Sequence, residues 1–321
     1  MKNDNKILQL KSTIYKTLMP LIVGDFVFID LPYYKNIGDV LIWEGTEEFL
    51  KSVSYKCLHK SSFFTFDKAK IRNERTIIIM QGGGNWGDIW IEHQNFRKEI
   101  IRNYPNNRII ILPQTVFYLN QKILLEDLKL FNSHKDLYIC ARDNSSFELL
   151  KKHIDNRKLM LLPDMAFCIN VSKIRKQKQI SSLENLFLQR QDKELNTDSI
   201  CDFIPPGTDI KDWPTYEYNS NIERFYYYMS KFLSSFDCIF KLKSSFVFSD
   251  FYYNSVIRPY YIRKGVKFIS LYKYIYTTRL HGAILSILLD KEITFIDNSY
   301  GKNSGYYSTW LNDLDTVKMI K

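Results

Sequence analysis

Thr76-Ile77-Ile78-Ile79-Met80-Gln81-Gly82-Gly83-Gly84-Asn85-Trp86-Gly87-Asp88 is a continuous apolar run that enters a glycine-rich turn. A run with no apolar/polar alternation suits a strand covered on both faces, as in a parallel sheet. The same grammar recurs on either side. Residues 26–30 (FVFID) lead into Asn36-Ile37-Gly38-Asp39 and a helix starting near Val40. Residues 108–112 (RIIIL) lead into Pro113-Gln114-Thr115, residues 137–141 (LYICA) into Arg142-Asp143, and residues 159–162 (LMLL) into Pro163-Asp164-Met165. Repeated strand, loop and helix predict a doubly wound α/β domain.

The second half is expected to repeat the theme more weakly. Residues 222–233 and the almost wholly apolar 281–290 read as helices. Residues 237–242, 266–270, 274–278 and 292–297 read as strands. Residues 171–200 are polar, start basic and show no clear strand, so they read as a connector holding a short helix. The expected division is 1–170 as one Rossmann-like domain, 171–200 as connector and 201–321 as a second Rossmann-like domain.

The bulk properties agree. The chain has 321 residues, with 45% hydrophobic and 25% charged, which excludes a disordered, collagenous or fibrous protein. A length of two domains of roughly 150 residues is the natural division. The net charge of +10 favours an anionic partner. Basic residues are dispersed, apart from the run at 173–178 (KIRKQK), and no nucleic-acid motif is present, so nucleic acid is not expected. Five scattered cysteines without a CxxC pair argue against a disulfide framework or thiolate metal site and suit a reducing cytoplasm. Nothing reads as a secretory leader or a membrane-spanning stretch. Ile7, Leu10, Ile14 and Leu18 recur at helical spacing, as in a helix packed on its own domain or one lying on a membrane.

In doubly wound sheets, ligands sit beyond the carboxyl ends of the strands. Gly82 to Gly87 contains G-x-G-x-x-G. It does not follow the first strand, and no acidic residue ends the next one, so a dinucleotide site is set aside. Three glycines still allow close backbone approach to a ligand. Asp39 is a candidate helix cap or a base for a sugar hydroxyl. Arg142 either holds a phosphate or carboxylate or pairs with Asp143. His93 and Arg97 would share one helix face. Arg279-Leu280-His281-Gly282 joins a strand to the apolar helix. Its free N–H groups and Arg279 make an anion site, and His281 could bind the anion or move a proton.

Taken in order, NIGD, QGGGNWGD, LPQT, ARD, LPD, TTRLHGA and DNSYGK resemble the polysaccharide pyruvyl transferase family, from about Asn36 to Tyr307. The resemblance implies a two-domain protein of the glycosyltransferase-B type. Such a protein would transfer the enolpyruvyl group of phosphoenolpyruvate to a sugar and close it into a ketal. It implies that Arg279, Leu280, His281 and Arg142 bind the donor, and that His93 matches a family histidine beyond the glycine loop. His281, His93 and Asp39 are the expected catalytic residues. Gly38, Gly82, Gly83, Gly84, Asn85, Gln114, Tyr300 and Lys302 complete the expected substrate contacts. Pro163-Asp164-Met165 departs from the family's PDP-like pattern. The implied partners are phosphoenolpyruvate and a surface-polysaccharide precursor, undecaprenyl-linked or soluble, with no separate cofactor or metal. The implied location is the cytoplasm, with peripheral contact to the membrane's inner face. Two alternatives remain open: a nucleotide-sugar glycosyltransferase and a non-catalytic protein that binds anions or membranes.

Overall fold

The computed structural model describes residues 1–190, 203–214, 220–240, 242–297 and 301–320. Two all-parallel sheets account for its strands. The first uses β1 (Phe26–Ile29), β2 (Cys57–Lys60), β3 (Ile77–Met80), β4 (Gly83–Trp86), β5 (Ile109–Val116), β6 (Leu137–Ala141) and β7 (Leu159–Leu161). Their order is β2-β1-β3-β5-β6-β7, with β4 paired to β5. The second uses β8 (Leu183–Leu188), β9 (Asp209–Lys211), β10 (Tyr272–Thr277), β11 (Glu292–Ile296) and β12 (Val317–Ile320), in the order β12-β11-β10-β8-β9.

Both sheets turn back on themselves once. The chain moves outward from β1 to β2 and then returns to β3. It repeats this from β8 to β9 and back to β10. The crevices between β1 and β3 and between β8 and β10 are therefore the places where a ligand is expected. The fold is Rossmann-like in both halves, as the sequence predicts. The reason is visible in β1 and β3, whose residues are all buried, so period-two alternation is absent.

Helices cover the sheets: α1 (Asn3–Leu18), α2 (Ile37–Leu50), α3 (Ile91–Asn103), α4 (Gln121–Ser133), α5 (Asn144–Lys151) and α6 (Val171–Arg175) come first. Then follow α7 (Ser220–Phe240), α8 (Ser244–Tyr252), α9 (Arg258–Ser270), α10 (Leu280–Leu288) and α11 (Lys302–Tyr306). The apolar residues of α2 and α10 share one core, in which Ile37, Val40 and Leu41 meet Val266, Ile284 and Leu285. The two halves are thus joined by buried apolar surface rather than by a bare linker. Truncating a buried Leu or Ile here would cost about 2–5 kcal/mol.

The stripe Ile7, Leu10, Ile14 and Leu18 is fully buried, so α1 packs on the protein and does not offer that face to a membrane. Three cations of the basic run 173–178 also bond within the protein, while Lys176 is exposed. Arg175 and Lys178 donate to the Leu288 and Leu289 carbonyls at the end of α10, and Lys173 pairs with Glu44. Cations at a helix C-terminus offset its unpaired carbonyls.

Three local readings are corrected. Residues 171–200 contain α6, as expected, but also β8, which sits between β10 and β9. Its first half is exposed and polar, and only Leu186 to Leu188 are buried, which hides its strand character. Residues 237–240, read as part of a strand, are instead the end of α7, and residue 241 lies outside the described residues. Residues 266–270 belong to α9, where Tyr261, Ile262, Gly265, Val266 and Ile269 are buried at helical spacing.

Candidate active site

The carboxyl ends of the two crevices face a shared cavity of about 480 Å³. Among its described lining residues, Lys35, Arg142, Arg190, Arg279 and Lys302 outnumber Asp39 and Glu92. His93 and His281 also line it. The imbalance suits an anion.

Arg142 follows β6 and is almost wholly buried. Its Nη1 donates to Asp164 Oδ2 at 2.6 Å, while Nε and Nη2 donate to Thr115 Oγ1 at 3.2 and 3.0 Å. The alternative pairing with Asp143 is not what forms. Asp143 caps α5 by accepting from the Ser146 N–H at 2.8 Å and accepts from Thr115 Oγ1 at 2.7 Å. His281, in the first turn of α10, brings Nε2 to 3.3 Å from the same Asp164 oxygen. Burial alone would raise the Asp164 pKa. The charge and hydrogen bond of His281, together with Arg142, outweigh burial and hold it below the usual carboxylate range. Asp164 is thus an anion that holds two donors in place.

Glycines let these groups close in. A Cβ added at Gly38 would stand 2.7 Å from His281 Nδ1. One added at Gly84 would stand 2.9 Å from Lys302 Nζ and 3.4 Å from Arg142 Nη2. At Gly38 the added atom would force the His281 ring to move, whereas at Gly84 the flexible end of Lys302 could swing aside.

On the opposite wall, His93 Nδ1 lies 2.6 Å from Asp30 Oδ1. Asp30 follows β1, is buried, and has φ 66°, in the left-handed region that Asp tolerates better than most residues. Arg97 Nη2 is 3.5 Å from the other Asp30 oxygen and donates to Asn85 Oδ1 at 3.0 Å. Burial lowers the Arg97 pKa, and Asp30 opposes that. With Nδ1 taken by a carboxylate, Nε2 is the His93 nitrogen left for the cavity. His93 and Arg97 share a face of α3, as their spacing predicts.

The remaining expected residues divide. Gly38, Asp39, Gly84, Asn85, Leu280 and Lys302 line the cavity, whereas Gly82 and Gly83 are not among its lining residues. The glycine segment is a short strand on β5 rather than a strand-to-helix turn, and α3 begins only at Ile91. Gln114 is buried beneath it. Its Nε2 donates to the Gln81 carbonyl at 2.9 Å and to Asn85 Oδ1 at 3.2 Å, so it supports the loop. The helix cap of α2 is Asn36, which accepts from the Gly38 N–H at 2.9 Å. Asp39 instead accepts from Asn36 Nδ2 at 2.7 Å. Arg279 is not paired with His281: its Nε and Nη2 form a fork on Asp212. Tyr300 lies outside the described residues.

The sequence reading missed Asp30, Asp164, Arg190 and Asp212. Asp30 and Asp164 each follow a strand that was recognised, and their strand-end positions could have flagged them. Arg190 follows β8, whose strand was not recognised, and its N–H donates to Thr278 Oγ1 at 3.1 Å. Tyr33, Tyr34, Phe63, Phe64, Trp90 and Trp213 add aromatic faces to the walls. Such faces suit sugar rings as well as core packing.

A family model described as polysaccharide pyruvyl transferase matches residues 36–300. The Bacillus subtilis (strain 168) protein EpsO, which carries a pyruvyl transferase name, is 32% identical over 298 residues, covering 93% of this chain and 89% of that one. Pyruvyl transferase 1 of Schizosaccharomyces pombe is 24% identical over 320 residues, covering 91% of this chain and 71% of that one. A crystal structure of a functionally uncharacterised protein from Klebsiella pneumoniae shares the fold, with TM-score 0.64, 21% identity and coverage of 97% and 98%.

Proposed function

The chain belongs to the polysaccharide pyruvyl transferase family, and from that premise we propose that it transfers the enolpyruvyl group of phosphoenolpyruvate to a sugar of a surface-polysaccharide precursor. The product is a pyruvate ketal, and inorganic phosphate is released. The observation that carries this reading is the buried Asp164 carboxylate. It fixes Arg142 and His281 together at a cavity that Arg190, Arg279 and Lys302 also reach.

The chemistry follows from the donor. Phosphoenolpyruvate has a phosphate and a carboxylate on C2 and a nucleophilic methylene at C3. Arg142, Lys302, Arg190 and Arg279 hold the two anions; arginine forks match both geometries. His281 gives a proton to C3, which becomes a methyl group and leaves C2 electrophilic. One sugar hydroxyl adds to C2 and loses its proton. Phosphate leaves with the C2–O bond electrons, and a second hydroxyl of the same sugar closes the ketal with loss of its proton. His93, oriented by Asp30, and Asp39 accept the hydroxyl protons. His93 is also the second candidate for the acid at C3. No separate cofactor or metal enters this scheme. The N-terminal half supplies the acceptor wall and the C-terminal half most of the donor wall.

The test is to supply phosphoenolpyruvate or a nucleotide sugar with a panel of lipid-linked and soluble oligosaccharides. Phosphate release tied to a pyruvyl mass gain supports the proposal. Nucleotide release from the sugar nucleotide instead would assign the cleft to a glycosyltransferase.

A further inference from the structure

The surface next to the cleft mouth is unusually apolar. On α7, Phe225, Tyr228, Phe232, Phe236, Ile239 and Phe240 are exposed, and they recur every three or four residues, so they form one stripe. Ile239 is 73% exposed. On neighbouring α8, Val247 and Phe251 are exposed as well. Soluble monomers rarely leave a contiguous apolar patch of this kind uncovered. The inner side of α7 does have a partner: Tyr226 stacks on Tyr252 with ring centroids 4.5 Å apart and bonds Ser249 at 3.0 Å. The stripe is therefore the outward face of a docked helix.

Two contacts tie α7 and α8 to the cavity rim. Glu223 at the start of α7 pairs with Lys35 at 2.6 Å, and Asp250 of α8 accepts from Tyr33 at 3.0 Å. Lys35 and Tyr33 both line the cavity. On the other domain, Ile89, Trp90 and Ile91 are all exposed, and Trp90 also lines the cavity. Apolar side chains thus flank the opening from both domains. Exposed Arg224 and Lys231 lie on α7 beside the stripe, and the chain carries a net +10.

We propose that the α7–α8 surface and the Ile89–Ile91 rim seat the protein on an anionic lipid bilayer with the cleft mouth at the membrane. Aromatic and aliphatic side chains beside cations match an interfacial helix, whose apolar face enters the headgroup boundary. A second copy of the chain would cover the mouth that a polymeric acceptor must enter. A membrane that carries the acceptor would instead deliver it there. This choice of occupant rests on the pyruvyl-transfer reading, but binding itself can be measured with no substrate present.

The experiment is co-sedimentation of the full chain with vesicles of phosphatidylglycerol and phosphatidylcholine, and with phosphatidylcholine alone. The triple variant Tyr228→Ser, Phe232→Ser, Ile239→Ser is compared, with its fold checked by circular dichroism and its pyruvyl transfer measured on a soluble oligosaccharide. The native chain is expected to sediment with the anionic vesicles. The variant should lose at least about tenfold in the bound-to-free ratio, given the apolar surface removed, with soluble-acceptor turnover unchanged. Arg224→Glu with Lys231→Glu should weaken binding to the anionic vesicles by at least about thirtyfold, following the roughly 1 kcal/mol for each of the two surface cations lost. Absence of vesicle binding by the native chain, or equal binding by the triple variant, overturns the proposal. So does concentration-dependent dimerisation that the triple variant abolishes without any vesicle binding, since that would identify the occupant as a second copy. Vesicle binding without pyruvyl transfer would leave this surface in place and refute the enzymatic reading alone.

Discussion

His281 Nε2 stands 3.3 Å from Asp164 Oδ2 across the junction of the two sheets, with His281 on α10 of the second half and Asp164 just beyond β7 of the first. The contact couples His281, the acid of the proposed reaction, to the same carboxylate that orients Arg142. The neighbouring backbone is tied down from the second half too, since the Asp164 N–H donates to Tyr306 at 3.1 Å and Trp310 donates to the Arg142 carbonyl at 2.8 Å. His281, Arg142 and the packing between the two halves are thus held as one unit.

His281→Ala is expected to lower phosphate release by about 10²–10⁴-fold, the usual contribution of a positioned acid. The variant should remain folded because the ring is at the cavity surface. A phosphate-release assay alongside thermal unfolding checks both parts. Near-native turnover would remove His281 from proton transfer.

Asp164→Asn keeps the shape but removes the carboxylate charge between Arg142 and His281. Breaking a buried pair this way typically costs about 3–5 kcal/mol. The acid limb gives the second readout. The native-state pKa of Asp164 is depressed below 3.8, so its stabilisation is present above that value and lost as pH falls below it. Unfolding measured against pH should show the variant lacking this part of the acid-side loss.

Asp30→Asn and His93→Ala should each reduce turnover, and the double variant should be little worse than the His93 single variant. That non-additivity is expected if Asp30 acts only through the ring. Additive losses would separate the two residues.

How much of this was legible in the sequence depended on where burial is two-sided. β1 and β3 are buried throughout, and their strand character and their loops were readable. β8 is exposed over its first residues, and β9 is only Asp209–Lys211, so neither stands out from polar surroundings. Residues 266–270 are too short a window to separate helix from strand, and the stripe from Tyr261 to Ile269 appears only over the whole of α9. At the site, Arg142, Arg279 and His281 were readable, whereas Arg190 was not, because it follows the unrecognised β8. The pairings with carboxylates were not readable, because Asp164 meets Arg142 from 22 residues away and Asp212 meets Arg279 from 67.

Gly38→Ala is expected to lower turnover with little loss of donor affinity. Its Cβ would stand 2.7 Å from His281 Nδ1, so the ring must shift from its place against Asp164. Steady-state kinetics should show the loss in kcat rather than in KM for phosphoenolpyruvate.

Asp250 supplies a pH dependence of opposite sign. Burial raises its pKa to about 6, although hydrogen bonds from Thr65 and Tyr33 pull the other way. Its contribution to stability is present below 3.8 and lost as pH rises through about 6. Asp250→Asn should therefore raise the unfolding temperature at neutral pH and not at pH below about 4, the range of an ordinary Asp. An equal gain at both would contradict a buried carboxyl at this interface.

Arg279→Ala should weaken phosphoenolpyruvate binding by about tenfold to a hundredfold, the range of hydrogen bonds to a charged group. Calorimetric titration measures it, and unchanged affinity would exclude Arg279 from the donor site.

The most direct test of protonated-donor transfer in this cleft uses phosphoenolpyruvate and acceptor glycans in D₂O, with the product returned to H₂O and read by mass spectrometry. The predicted product is a glycan carrying a pyruvate ketal that retains at least one deuterium in its methyl group, formed together with equimolar phosphate. Phosphate release or glycan modification without methyl deuterium would contradict protonation at C3, and with it the role assigned to His281 and Asp164.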